Sequence, residues 1–270
     1  MIHPASELEN GWFSVETLDE TTYSIGEYGH WMKIHSYLFI GNEKAALVDS
    51  GLGVGNIRTI VEALTDLPVH VITTHAHWDH TGGHHLFDSF SAHVLERDWI
   101  EQSEKRYKKN ISDWLLKEPL TKELPPCFDK KRLPPFQAIV EHLHEDGDVF
   151  DLGGRRLEII HTPGHSMGHI SVFDEGKGLV VTADLLYQGV LLAGLQSSDP
   201  DDYHQSLLRL RALPKLKKLL PGHGRLDIDN NLLDEAIAGF EDLKQKDLLK
   251  IGSGVHRYGR LKISLGKKKN

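Results

Sequence analysis

Residues 75–80 read His-Ala-His-Trp-Asp-His, four potential metal ligands in six positions. They stand directly behind Val-His-Val-Ile-Thr-Thr at 69–74, a β-prone and largely apolar run. The spacing predicts a buried strand whose C-terminal end projects His75 and His77 toward one point, with Asp79 and His80 facing a second point close by. Imidazole and carboxylate suit zinc and other first-row divalent metals, and four donors on one loop point to two ions rather than one. Seven of the chain's 18 histidines fall between His70 and His93. A histidine-rich tract taken alone is commonly solvated surface; its position immediately after an apolar strand is what sets this one apart.

Three later positions repeat that arrangement. Leu-Glu-Ile-Ile-His-Thr-Pro-Gly-His delivers His165 after a strand and a Pro-Gly turn, Gly-Leu-Val-Val-Thr-Ala-Asp delivers Asp184, and Lys-Leu-Leu-Pro-Gly-His delivers His223. Strand ends are where α/β sheets place their sites. With the cluster they make seven ligands for two metals. The lone cysteine, Cys127, excludes an intrachain disulfide and any cysteine-only metal site.

The rest of the chain supplies a scaffold for such ends. The first 50 residues alternate as short strands, and residues 54–64 switch to a helical period through Val54, Ile57, Ile60, Val61 and Leu64. Residues 99–136 differ, with Lys/Arg runs and two Pro-Pro pairs; they read as a helix and loop insertion, with a helix at about 97–117. The β pattern resumes over 136–165 and 169–184, with a hairpin turn at Glu175–Gly178. Asp199-Pro200-Asp201-Asp202 signs a helix start, with Tyr203, Leu207 and Leu210 on its apolar face. A strand at 217–223, a helix over about 231–250 and a last strand in 254–265 complete the pattern. No repeat or linker interrupts it, so a single domain over 1–270 is expected.

These motifs resemble the metallo-β-lactamase superfamily. The matching segments are His75–His80, Thr162-Pro163-Gly164-His165, Asp184 and Pro221-Gly222-His223, with Asp49-Ser50-Gly51 similar to the family's structural Asp-Gly turn. The resemblance covers roughly residues 15–225 and implies an α/β fold, the four-layer αβ/βα sandwich, with a dinuclear site on one edge. By motif position His75, His77 and His165 would hold the first metal, and Asp79, His80 and His223 the second. Asp184 would bridge them, and Asp49 would be a buried support. The implied cofactors are two divalent ions, zinc foremost, with manganese and iron as alternatives.

The implied activity is hydrolysis of an ester, thioester or lactone by a metal-bridging hydroxide, with Asp79 orienting the nucleophile and shuttling a proton. Asp184 is unlike the true β-lactamases of the family, which carry a cysteine or no bridging residue there. His77 stands where the di-iron flavoprotein branch has a glutamate. Tyr187, three residues after Asp184, matches the acyl-homoserine lactonases and some acyl-coenzyme A thioesterases, where the phenol can hydrogen-bond the substrate carbonyl; packing in the core is its other reading. Trp99, Tyr107, Trp114 and Phe128 are candidates for an apolar acyl pocket, or for ordinary packing. A phosphodiesterase of the same fold, a mononuclear-iron sulfur dioxygenase and a non-enzymatic metal-binding protein are the alternatives.

The remaining histidines have plainer expectations. His84 and His85 read as support or surface residues, His161 and His169 as local hydrogen-bonding groups, and His30 as part of a surface loop or the pocket mouth. The net charge of −8 argues against a general nucleic-acid binder. Residues 241–270 carry nine Lys or Arg against three acidic residues, so the tail is +6 and the remainder −14. No run of about 18 apolar residues predicts a membrane span, and the polar start, Met1–Asn10, shows no secretory signal. A cytoplasmic enzyme acting on a small molecule is expected. Its oligomeric state is open, a homodimer included.

Overall fold

The computed structural model describes residues 3–102, 115–126, 128 and 140–267. Most of the expected 99–136 insertion, including Tyr107, Trp114 and Cys127, lies outside the described residues. The chain divides into two compact units: Met1–His144 with Asp151–Arg155, and Glu145–Phe150 with Arg156–Asn270.

The first unit is built on a seven-stranded sheet whose spatial order follows the chain: β1 (Ser14–Asp19), β2 (Thr22–Glu27), β3 (Ile34–Ile40), β4 (Ala45–Val48), β5 (Val69–Ile72), β6 (Phe90–His93) and β7 (His142–His144). The pairs from β1 to β4 are antiparallel, and those from β4 to β7 parallel. All four residues of β4 and six of the seven in β3 are buried, as expected of strands covered on both faces. The helix expected at 54–64 is the shorter α1 (Ile57–Glu62), because Asn56 ends the preceding turn and its side chain accepts from the Thr59 amide. Its Ile57, Ile60 and Val61 join a core with Trp12, Phe13, Ile25, Leu47, Val71 and Phe90. Parallel pairing of β4 with β5 puts both C-terminal ends on one sheet edge, which brings Asp49 beside Thr74. Two short helices follow, α2 (Trp78–Thr81) and α3 (Arg97–Glu101).

A later stretch of chain completes this unit. The Arg155 guanidinium donates to Thr21 O at 2.7 Å, Ile40 O at 3.2 Å and Thr22 Oγ1 at 2.7 Å, and lies 4.8 Å over the Phe39 ring. Leu152 O accepts from the Glu43 amide at 3.0 Å.

The second unit holds a five-stranded sheet in the order β13-β11-β10-β9-β8. The strands are β8 (Val149–Asp151), β9 (Arg156–His161), β10 (Ile170–Asp174), β11 (Leu179–Ala183) and β13 (Lys218–Pro221). The expected hairpin turn joins β10 to β11, with Gly178 at φ +72°. Helix α4 (Pro200–Arg211) starts where the sequence placed it: Asp199 accepts from the amides of Asp201 and Asp202 at 2.9 and 3.0 Å. It packs on α5 (Asn231–Gln245), with the Tyr203 and Phe240 rings stacked at 5.0 Å. Helix α5 stops short of the expected 250; Asp247, just beyond it, takes φ +55°. The tail is not one strand but a hairpin, β14 (Val255–Tyr258) and β15 (Leu261–Ser264), with β12 (Val190–Leu192) parallel to β15. Gly259 at φ +51° makes the turn that an unbroken reading of 254–265 hides.

Candidate metal centre

In the first unit the turn from β5 into α2 carries His75 and His77, and α2 itself carries Asp79 and His80. His75 Nε2 and His77 Nδ1 are 3.0 Å apart, and His80 Nε2 is 3.7 Å from Asp79 Oδ2. His75, Asp79 and His80 are buried, and His77 is half-buried. The expected pairs, 75 with 77 and 79 with 80, therefore do come together.

Asp49 controls which nitrogens of these rings carry protons. Its carboxylate accepts from the Thr74 amide at 2.8 Å, the Thr74 hydroxyl at 2.7 Å and His80 Nδ1–H at 2.7 Å. The Thr74 hydroxyl has only one hydrogen, and it goes to Asp49. So at 3.0 Å from His75 Nδ1 it must accept, which puts the proton on Nδ1. In both rings Nε2 is then the acceptor nitrogen, the tautomer a metal requires. Asp49 itself takes φ +60°, a left-handed conformation that an aspartate tolerates better than most residues.

The second unit carries His165, Asp184 and His223. His165 Nδ1 donates to Leu192 O at 3.1 Å, so in the neutral ring Nε2 is the acceptor nitrogen, and it faces Asp184 Oδ2 at 3.2 Å. Two acceptors at that separation are reconciled by a shared cation or by a protonated imidazole. The other Asp184 oxygen, Oδ1, lies 2.8 Å from His223 Nε2. One carboxylate thus offers one oxygen toward each of two imidazoles, the geometry of a bridging ligand. Ala183, at φ +42° on a register shift against β13, turns the chain out of the sheet and aims this carboxylate. Gly222 makes room for it, since a Cβ there would stand 3.0 Å from Asp184 Oδ1. The donors of both units are those of a divalent metal site, and they fit the implied ions.

Tyr187 is half-buried, its ring 5.1 Å from that of His223, and its phenol donates to Val190 O. It is thus next to a site residue, but its hydroxyl hydrogen is committed to the backbone.

Other histidines have local duties. His84 is buried, 2.5 Å from Ser50 Oγ and 2.7 Å from Thr73 Oγ1, and burial lowers its pKa to about 3; it is support, as expected. His169 bonds Thr162, and His161 bonds Met167 O. His30 is not in a surface loop: it is buried, with Nε2 3.1 Å from Leu115 O. No sequence signal marks Glu96, a buried carboxylate that accepts from the Ala76 amide at 2.8 Å. Nor did it single out Trp99 as a neighbour of His77, whose ring it meets edge-on at 5.2 Å. The Thr-Thr pair before His75 was the one available signal for Thr74.

Known proteins agree with this chemistry. The family model described as "Metallo-beta-lactamase superfamily" matches residues 31–223. The acyl-coenzyme A thioesterase MBLAC2 of Homo sapiens is 28% identical over 230 residues, 78% of this chain and 81% of the relative. A hydroxyacylglutathione hydrolase of Pelagibacter ubique is 26% identical over 238 residues, 82% of this chain and 83% of the relative. Among solved structures, a metallo-beta-lactamase from Pontibacter korlensis superposes with a TM-score of 0.63 at 17% identity, over 85% of this chain and 99% of that one. That likeness shows the α/β fold which the motifs imply.

Proposed function

The chain belongs to the metallo-β-lactamase superfamily, and on that premise we propose that it is a dinuclear metal-dependent hydrolase of ester, thioester or lactone bonds, thioesters foremost. The observation that carries the proposal is Asp184, whose two oxygens face His165 and His223 at 3.2 and 2.8 Å. A carboxylate so placed suits two ions better than one. His75, His77 and His165 would hold the first and Asp79, His80 and His223 the second, with Asp184 spanning both. The preference for thioesters is supported by the two relatives, an acyl-coenzyme A thioesterase and a hydroxyacylglutathione hydrolase, both named for thioester substrates.

When bound, the two cations supply an acidified water and a Lewis acid for the substrate carbonyl. The protein's own groups do the rest. Asp49 holds the His75 and His80 rings in the ligating tautomer. Asp79 takes the proton of the attacking water and returns it to the leaving thiolate, as the new C–O bond forms and the C–S bond breaks. A Tyr187 phenol released from Val190 O would donate to the carbonyl oxygen. In this reading the enzyme is cytoplasmic and acts on a small molecule. Zinc is the favoured ion, because imidazole and carboxylate donors suit it; iron or manganese would fit the same donors.

The test is elemental analysis of the purified chain beside a panel of thioester, lactone, phosphodiester and β-lactam substrates. Two metal equivalents and highest kcat/KM on a thioester are expected. One iron per chain, or turnover confined to phosphodiesters, would overturn the proposal.

A further inference from the structure

Glu27 is a buried carboxylate that the metal chemistry above leaves without a part. It ends β2 at 2% exposure, and its two oxygens are divided between two buried donors. Oε1 accepts from the Leu52 amide at 2.8 Å, and Oε2 from the Trp12 indole N–H at 2.6 Å. Leu52 closes the turn that begins at Asp49. The middle of that turn is tied to α2 and the glycine after it: the Ser50 amide donates to His80 O at 2.8 Å, and the Gly82 amide to Gly51 O at 2.9 Å. A Cβ on Gly51 would overlap Glu27 Oε1, so the turn is shaped to admit this side chain. At its head, Asp49 holds His80 Nδ1. Burial is the largest cause that raises the Glu27 carboxyl, to about 7; the two N–H donors lower it, and the charge of Asp79 on α2 raises it further. Trp12, Gly51, Leu52 and its strand partner Ile34 bring no charge, which leaves Asp79 as the ionised group it feels among the described residues. An amide in its place could accept from one oxygen only, and bonds to an ionised acceptor are the stronger kind.

We infer that Glu27 is a positioning residue of the metal centre: its ionised carboxylate holds the Asp49–Leu52 turn where Asp49 fixes His80, and its charge strengthens retention of the ion on Asp79 and His80. The inference rests on the metal-site reading above and on no particular substrate. By linkage the effect is reciprocal: if ionised Glu27 favours the ion, the ion favours ionised Glu27 and expels its proton. Well above pH 7 the carboxylate is ionised before the ion arrives. Well below it, the proton must first leave, and that takes back most of the gain in affinity.

The experiment titrates the metal-free full chain with zinc against a chelating dye at pH 6 and at pH 8. Glu27→Gln copies the protonated carboxyl in size and charge. Its zinc Kd is expected to exceed the parent's about twofold at pH 6 and about tenfold at pH 8. Protonation of the histidine ligands weakens both proteins alike and cancels in that ratio. A Glu27 that served only the packing of Trp12 would give one ratio at both pH values; that result would overturn the inference and leave the metal reading intact. A parent chain that binds no zinc would overturn both. The parent also gives a test that needs no variant. The Trp12 indole N–H, followed by NMR, should report a Glu27 midpoint of about 7 without zinc, and one lower by about one pH unit with it. Equal midpoints would overturn the inference.

Discussion

Asp49 sits where one carboxylate fixes the protons of two imidazoles, His80 directly and His75 through the Thr74 hydroxyl. Asn in its place would keep the shape and tolerate the left-handed backbone, but its amide would present N–H to one of those partners. The His80 ring would then flip its tautomer and turn an N–H outward from Nε2. Asp49→Asn is therefore expected to weaken metal affinity by about 10–100-fold, read by competition with a chelating dye, with a near-normal circular dichroism spectrum. In the proposed dinuclear site Asp184→Asn makes a different prediction: with its one anionic bridge lost, that site should hold about one metal per chain rather than two, read by elemental analysis. The seven candidate ligands were legible in the sequence, because all of them follow strand-like runs. The proton inventory was not, since it depends on Asp49 meeting Thr74 in one unit and on His165 meeting Leu192 in the other.

At the scale of elements, local signals predicted best. Asp199 and Pro200 announced α4 because an N-cap and an N1 proline act within one turn. Asp199→Ala should cost about 1 kcal/mol, measured as a lowered urea midpoint with an unchanged slope. Boundaries set by tertiary contact were harder to read: α1 is shorter than its periodicity, and the 254–265 run is a hairpin rather than one strand. Ala183 is the case where backbone conformation and chemistry conflict. Its φ of +42° turns Asp184 out of β11, and alanine bears a strain that glycine would not. Ala183→Gly should keep or raise stability in thermal melts while lowering kcat, because the carboxylate loses its fixed aim.

At the scale of the molecule, each unit has its own apolar core, and two histidines of the first unit, His84 and His70, set a pH limit. Burial is the main cause that lowers the pKa of both His84 and His70, from 6.5 to about 3. Below 6.5 the unfolded chain takes up protons that the folded rings refuse, so their contribution is whole above pH 6.5 and is lost as pH falls toward 3. For His84 this amounts to about 2 kcal/mol at pH 5, and less for the half-buried His70. Glu27 acts in the opposite sense: burial raises its carboxyl to about 7, so its contribution is lost as pH rises from 4.5 through 7. Between pH 7 and pH 5 Glu27 offsets the His84 loss, so the expected result is differential: metal-free His84→Gln should gain stability relative to the parent chain as pH falls from 7 to 5, read from paired urea midpoints. Among the described residues no helix is long and apolar enough to cross a membrane.

The Arg155 clasp has a consequence for how the protein is made. All seven strands of the first sheet have been synthesised by His144, yet the guanidinium that holds Thr21, Thr22 and Ile40 arrives only with residue 155, after chain that belongs to the second unit. At the usual pace of translation the emerging sheet waits about one second for its clasp, its early hairpins meanwhile exposed to wrong partners. Cutting the gene after codon 144 would leave that state permanent. Neither unit is a single run of sequence, and a ribosome-stalled chain should gain protease resistance only once residue 155 has cleared the exit tunnel.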